Sequence, residues 1–456
     1  MLSALVASSL NAPAIAQEAL PEGEEPPVVD ELEKEDPIDE GGEDALEETD
    51  PRTILRQERE RRERIESLIR AQPNIPQEGA VLAGPNVPPS LLPGRGGLTY
   101  GKVAFSPRAT VGALLTDNVN SDDDDREDDV IFGANASVRA DALMRRHALG
   151  AEASITGGSS LEGAEDDFLD WLAGVDGRYD LTRRSSLNAA VSGTVFQEDD
   201  SSIAAEGDEA TVTNLSANSG YVFNGRRWDF GLGVNADIER FSDESSDDRD
   251  NDAYTLSAQV SHQLSRRFSI FASPQYTLNE FDGVGGDGED RDSTELTGLV
   301  GVDAEISPRL RFGASAGYSQ AFFDDPDLEE NGSFVGSLNA RYAYDARTNY
   351  RLSASRSFDV TTVDDASTEI STVVTGEVTK LLAPKHAVTL QAIYTNSDFD
   401  DGDRTDHDIT GALGYFFRFN PNFVFNLGYQ YLTRISDEDD EEFYENQIVI
   451  GVTVAY

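Results

Sequence analysis

The chain has 456 residues, 36 basic against 86 acidic for a net charge of −50, no cysteine, two methionines and two tryptophans. Such a balance repels nucleic acid, and without cysteine there are no disulfides, thiolate metal sites or cysteine nucleophiles. Only 38% is hydrophobic and the mean hydropathy is −0.44, yet 22 Phe and 15 Tyr are present; disorder fits the charge but not the aromatics. No run of about 18 apolar residues follows the N-terminus, which excludes a helical membrane protein. A transmembrane β-barrel remains, because its lipid-facing residues alternate with wet ones.

In chain order, residues 1–16 read as the apolar part of a secretory signal ending Ala14-Ile15-Ala16, an A-x-A cleavage pattern. The basic n-region is missing, so the true start is expected inside a longer signal. Residues 17–50 hold sixteen acidic residues and one base, Lys34, too polar to fold alone. Asp50-Pro51 forms an N-cap and N1 pair that opens an Arg-rich helix over 51–71, with seven Arg and a thin Ile/Leu stripe. That helix reads as a solvated element or as a periplasmic docking helix. Residues 72–99 form a Pro/Gly linker into a body that spans 100–456.

In the body, short turns recur every 37–42 residues, among them Arg183-Arg184, Arg266-Arg267, Ala383-Pro384-Lys385 and Asn420-Pro421-Asn422. Acidic loops such as Asp243 to Asp252 alternate with them. Propeller blades or helical repeats share such a period, so the pattern within it decides. From Trp228 one face reads Trp228, Phe230, Leu232, Val234 and the other Asp229, Gly231, Gly233, Asn235. Strands of this length suit a tilted membrane crossing of about 9–11 residues. The alternation predicts an all-β, antiparallel, up-and-down transmembrane barrel of eighteen strands: 103–116, 130–142, 148–157, 168–181, 186–197, 210–222, 228–241, 253–264, 268–280, 294–306, 310–322, 333–344, 349–360, 368–381, 387–398, 407–419, 423–435 and 444–456. It is weakest near 210–222 and 349–381, and sixteen strands is the alternative count. Short turns and the N-terminal extension are expected in the periplasm, and long loops outside.

On the last strand Tyr444, Ile448, Ile450, Val452, Val454 and Tyr456 share a face that ends on an aromatic residue. This looks like the terminal signal read by the outer-membrane barrel-assembly machinery. Ser106-Pro107-Arg108-Ala109-Thr110-Val111-Gly112 followed by Thr116-Asp117-Asn118-Val119 resembles the opening of the Putative β-barrel porin type 2 family of proteobacterial outer membranes. The resemblance implies an outer-membrane barrel, in a family sometimes associated with exopolysaccharide export, and no catalytic residues.

The nine long loops and the strand ends beside them hold about 53 acidic residues, against four Arg in those loops. Such mouths are expected to concentrate cations. An eighteen-stranded barrel is wide enough for an aqueous channel. Its expected lining sets Asp176, Asp237, Asp303 and Glu377 against Arg139, Arg178, Arg341, Arg351 and Arg418 as opposed acidic and basic walls. The Gly-rich loop over 280–293 is the best candidate to fold inward. Asp398, Asp400, Asp401 and Asp403 offer oxygen ligands for weak calcium binding, without the twelve-residue loop of a dedicated site; no other cofactor is expected.

Of four histidines, only His407 sits among acids at the external rim, beside Asp403, Asp406 and Asp408, and no hydrolase, zinc-protease or P-loop motif occurs. The sequence thus predicts no enzyme, but a porin-like channel for passive diffusion of small hydrophilic solutes, cation-preferring. The alternatives are a barrel for exopolysaccharide export and a non-conducting surface or adhesion barrel with divalent-cation-binding loops. Expected partners are outer-membrane lipid, lipopolysaccharide and the assembly machinery; the oligomeric state stays open.

Overall fold

A computed structural model describes Pro88, Leu91 and 98–456, apart from 124–125, 143, 145, 162–166, 198–209, 243–248, 283–289, 327, 329, 362–365, 401–403 and 439–440. The expected signal, acidic segment and Arg-rich helix (1–71) lie outside the described residues, as does all but Pro88, Leu91 and Leu98–Thr99 of the linker.

The strands are Leu98–Tyr100 (β1), Val103–Thr116 (β2), Asp129–Ala142 (β3), Ala148–Ser160 (β4), Phe168–Asp180 (β5), Ser185–Gln197 (β6), Thr211–Asn224 (β7), Trp228–Phe241 (β8), Asn251–Ser265 (β9), Phe268–Phe281 (β10), Ser293–Ser307 (β11), Leu310–Phe323 (β12), Asn331–Ala343 (β13), Thr348–Val360 (β14), Thr368–Ala383 (β15), His386–Phe399 (β16), Thr405–Asn420 (β17), Phe423–Ser436 (β18) and Phe443–Ala455 (β19). Each of β2 to β19 pairs antiparallel with the next, and β19 pairs back onto β2, from Gln447↔Thr116 to Ala455↔Arg108. The result is a closed barrel of eighteen strands. No boundary differs from its expected position by more than three residues. The short β1 is an addition, folded against β2 through a turn at Gly101, whose φ of +63° suits a residue without Cβ.

Alternation decides which residue meets which medium. On β8, Trp228, Phe230, Leu232 and Val234 are exposed on the outer surface while Asp229 and Asn235 are buried inside. Val300, at 65% exposure on β11, and Phe334, at 76% on β13, mark the same apolar outer face. A water-soluble sheet would cover such residues; here they face lipid. Aromatic rings gather on this face towards the strand ends. Near the short turns His147 stacks on Tyr179, Tyr342 on Tyr350 and His386 on Phe417, and Trp228 lies tilted against His262. Near the long loops Tyr318 meets Phe334 edge-on and Tyr394 stacks on His407. Eighteen strands about 4.8 Å apart and tilted about 40° close to roughly 35 Å between opposite backbones.

Candidate functional site

The lumen is the one large polar surface that the strands enclose, and every expected lining residue lies on the lumen side of its strand. Their grouping differs from the expectation of opposed walls, because a charge pairs first with its neighbour in register. Arg139 on β3 binds Asp176 on β5 at 2.7 Å and Asp141 and Glu152 at 3.1 Å, so this Arg is the centre of an acidic wall. Arg178 pairs with Asp180 at 3.3 Å. Arg351 pairs with Glu377 at 3.0 Å on the adjoining strand. Asp237 accepts a bond from Asn235, and Asp303 lies across from Gly313. Arg418 sits at the turn end and donates to the Pro384 carbonyl at 3.3 Å.

Some sorting by wall survives. The stretch from β3 to β5 carries an excess of acid, whereas β12 to β14, about half-way round the barrel, carry Arg311, Arg341 and Arg351 in one register row. Arg311 escapes a sequence reading because it follows the turn Ser307-Pro308-Arg309 by two residues and counts as turn charge.

At the loop end the described residues of several connections make contact with the barrel. All four loop arginines hold something there. Arg126 binds Asp117 at 3.1 Å and lies over the Tyr444 ring at 3.7 Å. Arg249 lies over Phe241 at 4.1 Å, beside a buried lumen-side cluster of Phe196, Ala210, Val212 and Phe241. Arg291 donates to the Ala366 carbonyl at 3.4 Å, joining two separate connections. Arg404 donates to Asp406 at 2.9 Å, to Glu438 at 3.3 Å and to Glu441 at 3.2 Å, while Arg434 takes Asp408 at 2.9 Å. Arg404 remains firmly protonated: burial disfavours its charge, but Asp406, Glu441 and Glu438 more than compensate.

The inward fold is clearest at the tip of the β14–β15 hairpin. The β13–β14 ladder stops at Gly336↔Arg356, whereas β14 and β15 stay paired up to Val360↔Thr368. Asn331, on the lumen face of β13, reaches past β14 to the Thr368 hydroxyl at 3.2 Å. The tip therefore leans over the lumen, and Phe358, Thr361, Ser367 and Thr368 are buried there. The expected inward loop over 280–293 contributes Arg291 to this contact, while its glycines at 283–288 lie outside the described residues.

The Thr116-Asp117-Asn118-Val119 motif closes the seam between first and last barrel strands. Where the β2–β19 ladder ends, the Asp117 N–H donates to the Asn446 carbonyl at 3.3 Å. Asn446 returns its own N–H and its side-chain amide to the Asp117 carboxylate at 2.7 and 2.8 Å. Asn118, fully buried, donates to the Tyr444 carbonyl at 3.0 Å, and Thr116 bonds Glu445. Val119 packs on Leu114, Ile131 and Val449 inside the barrel. Burial pushes the Asp117 carboxyl up, but bonds from Asn446 and the Arg126 charge outweigh it and hold it below the usual range.

At the turn end Leu91 is fully buried among Ala387, Phe416 and Val424, with Leu381 beside them. These are lumen-side positions on β15 to β18, so Leu91 sits inside the barrel at its turn-end mouth.

The other expected sites resolve differently. Alternation turns His407 outward, where Tyr394 and Asn396 flank its Nδ1 at 3.0 and 3.4 Å, while Asp406 and Asp408 turn into the lumen. The expected proximity is one of sequence only; side chains on successive strand residues leave opposite faces. Of the proposed calcium ligands, Asp398 lies on the outer face of β16 and Asp400 just beyond it; Asp401 and Asp403 lie outside the described residues. Among the described residues no three carboxylates or histidines group closely enough to hold a metal. Tyr444, Ile448, Ile450, Val452, Val454 and Tyr456 share the lipid face of the last strand.

Residues 93–456 match the model of the family described as Putative beta-barrel porin 2. No curated protein matches the chain. Solved structures similar to it include the outer membrane protein OpdK of Pseudomonas aeruginosa, at 10% identity and TM-score 0.46, covering 77% of this chain and 99% of that one. OpdQ of the same organism covers 78% and 100% at 10% identity and TM-score 0.45. OccAB4 of Acinetobacter baumannii covers 78% and 99% at 11% identity and TM-score 0.42.

Proposed function

The chain belongs to the Putative beta-barrel porin 2 family, and from that premise we propose that this outer-membrane barrel is a channel for passive diffusion of small hydrophilic solutes, entered through a cation-preferring, loop-end mouth. Family and fold point to a channel rather than an enzyme. One observation carries the proposal: the closed eighteen-strand wall is apolar outside and lined inside by Arg, Asp, Glu, Ser, Thr and Asn. A wall of that size encloses water unless it is plugged. The short turns and the N-terminal extension then face the periplasm, and the lipid face of β19 is what the assembly machinery reads. Loop acids outnumber bases several-fold, so the mouth raises the local concentration of cations.

Reconstitution of the full chain in planar bilayers tests this. Steady conductance in KCl, with a reversal potential in a KCl gradient that favours potassium, is expected; chloride preference removes the selectivity. The inward-leaning tip near Thr361 and Arg291 favours a second reading, a barrel closed at its loop end that serves at the surface. A silent trace together with calcium-dependent attachment of cells selects that reading. Intact small-solute uptake with loss of secreted polysaccharide on deletion selects an export role.

A further inference from the structure

The tip of the β14–β15 hairpin brings carboxyls together. Asp359 stands directly opposite Glu369 in the ladder, and both take the lumen face. Opposed residues in such a ladder lie about 4.5–5.5 Å apart at Cα. Both also stand outside the membrane: Tyr394, in the loop-end belt of rings, pairs with Val374, five residues nearer the middle of the wall than Glu369. Glu369 is only 3% exposed, and its Oε1 accepts no hydrogen bond among the described residues. Asp359 keeps exposed surface towards the lumen.

A third carboxyl faces the pair across the gap where β14 has left β13. Glu295 on β11 accepts bonds from Thr297 and Ser319, and its charge reaches Asp359. Asp406 and Asp408 of β17 also point into the lumen, but Arg404 and Arg434 hold them. Asp398 of β16 takes the outer face. Arg356 donates to the Phe334 carbonyl and the Thr372 hydroxyl. Among the described residues no cation forms an ion pair with Asp359, Glu369 or Glu295.

Like charges directly opposite in a ladder are destabilising, and a buried oxygen without a donor adds to the cost. One proton relieves both. Protonated, Glu369 gains an O–H donor, and Asp359 opposite is an acceptor. Burial pushes the Glu369 carboxyl up to about 7, with a bond from Ser397 opposing the rise and the Asp359 and Asp406 charges adding to it. Ionised, Glu369 and Asp359 both repel Glu295, which belongs to the wall that the tip docks on. The contacts across that gap are Asn331 to the Thr368 hydroxyl at 3.2 Å and Arg291 to the Ala366 carbonyl at 3.4 Å.

We propose that Glu369 is a proton-operated latch on the loop-end mouth. With its proton the tip stays docked over the lumen. Without it, repulsion among Glu369, Asp359 and Glu295 breaks the contacts across the gap and frees the mouth. The docked tip holds a proton that the released tip gives up. Docking is therefore favoured at low pH, and the preference is lost as the pH rises from the ordinary carboxyl value of about 4.3 through about 7. As a control on passage the latch rests on the channel reading; as a movement it does not.

Ser367 at the tip is 2% exposed and the chain has no cysteine, so Ser367→Cys in the full-length protein in micelles places a single thiol that reports release. Its rate of maleimide labelling is divided by that of Asp123→Cys on an exposed loop, which removes the reagent's own pH dependence. The ratio should rise roughly tenfold or more between about pH 5.5 and about pH 8.5. Adding Glu369→Gln, which mimics the protonated acid, should keep the ratio low throughout. Adding Asp359→Asn, which takes away one repelling charge, should shrink the rise, and it decides if heat-dependent gel mobility shows that Glu369→Gln has not folded. A ratio flat with pH in Ser367→Cys alone overturns the latch, as does a rise that these variants leave unchanged. Conductance in KCl at the same two pH values separates the two ideas. A conducting barrel with pH-independent labelling keeps the channel and removes the latch, whereas a silent barrel whose labelling follows Glu369 does the reverse.

Discussion

At the loop end Arg249, Arg291 and Arg404 are only 7%, 3% and 8% exposed, and each touches a ring, a carbonyl or a carboxylate cage. At the turn end Arg183, Arg184, Arg226, Arg227, Arg266, Arg267, Arg309 and Arg347 are all exposed. The same residue type serves two physical purposes. Where bases are plentiful and acid is scarce, arginines stay in water and mark a side of the membrane. Where acid dominates, the rare arginine is drawn into the acidic surroundings and fixes a loop against the wall. A charge count reads the first role directly. The second lies in the minority charge, and it decides whether the acidic loops stand away from the mouth or close over it.

Removing one arginine at each end breaks the comparison most severely. Arg404→Ala leaves Asp406, fully buried, without its bidentate partner and frees Glu438 and Glu441 to repel each other. Stripping one partner from a buried ion pair costs about 3–5 kcal/mol, and the Ser436 hydroxyl is the donor that remains to the Asp406 carboxylate among the described residues. Arg226→Ala at the turn end should stay within about 0.5 kcal/mol of the unaltered protein. Urea unfolding in micelles reads both. Equal midpoints for the two variants would show that the buried arginines do not hold the loop end.

The strands were legible in the sequence because the barrel wall imposes one rule, lipid on one side and water on the other, at nearly every position. The rule weakens where the wall itself does. The stretch over 349–381, poor in alternation, includes the hairpin tip that leaves β13, and Phe358 is buried there although it falls on the lipid side of the pattern. Site geometry was less legible, for a different reason. Arg139 and Asp176 lie 37 residues apart in sequence and 2.7 Å apart in space, and only the register between strands brings them together. The motif Thr116-Asp117-Asn118-Val119 carried the family resemblance, but nothing local in it shows that its partners are Tyr444, Glu445 and Asn446 at the other end of the chain.

That seam offers a milder break than Arg404. Asn118→Ala removes the bond to the Tyr444 carbonyl and the acceptor for the Asp122 N–H, leaving a buried carbonyl unsatisfied at a cost of about 1–3 kcal/mol. Because the lost contacts join first and last strands, the variant should open at the β2–β19 ladder first. Amide hydrogen exchange along Asn446 to Val449 should accelerate more than exchange along β9 or β10. Uniform acceleration around the barrel would mean that the motif has no special hold on closure.

The smallest expected effect concerns acid. Asp117 has a carboxyl held below its ordinary value by the Asn446 bonds and the Arg126 charge. A group whose folded value is depressed contributes stability above its unfolded value of about 3.9, and that contribution is lost as the pH falls through the folded value. The seam should therefore keep its full Asp117 contribution at neutral pH and lose it below about pH 4. Asp117→Asn keeps the shape but cannot titrate, so its unfolding temperature should lie below that of the unaltered protein at pH 7. The gap should close as the solution is acidified. The carboxylate is partly open to solvent, so the shift is small, and its disappearance on acidification is what identifies it. A gap that persists at pH 3 would assign the seam's strength to packing of Val119 on Leu114, Ile131 and Val449 rather than to charge. The loop end would then be held by arginine at Arg404 and by apolar contact at the closure.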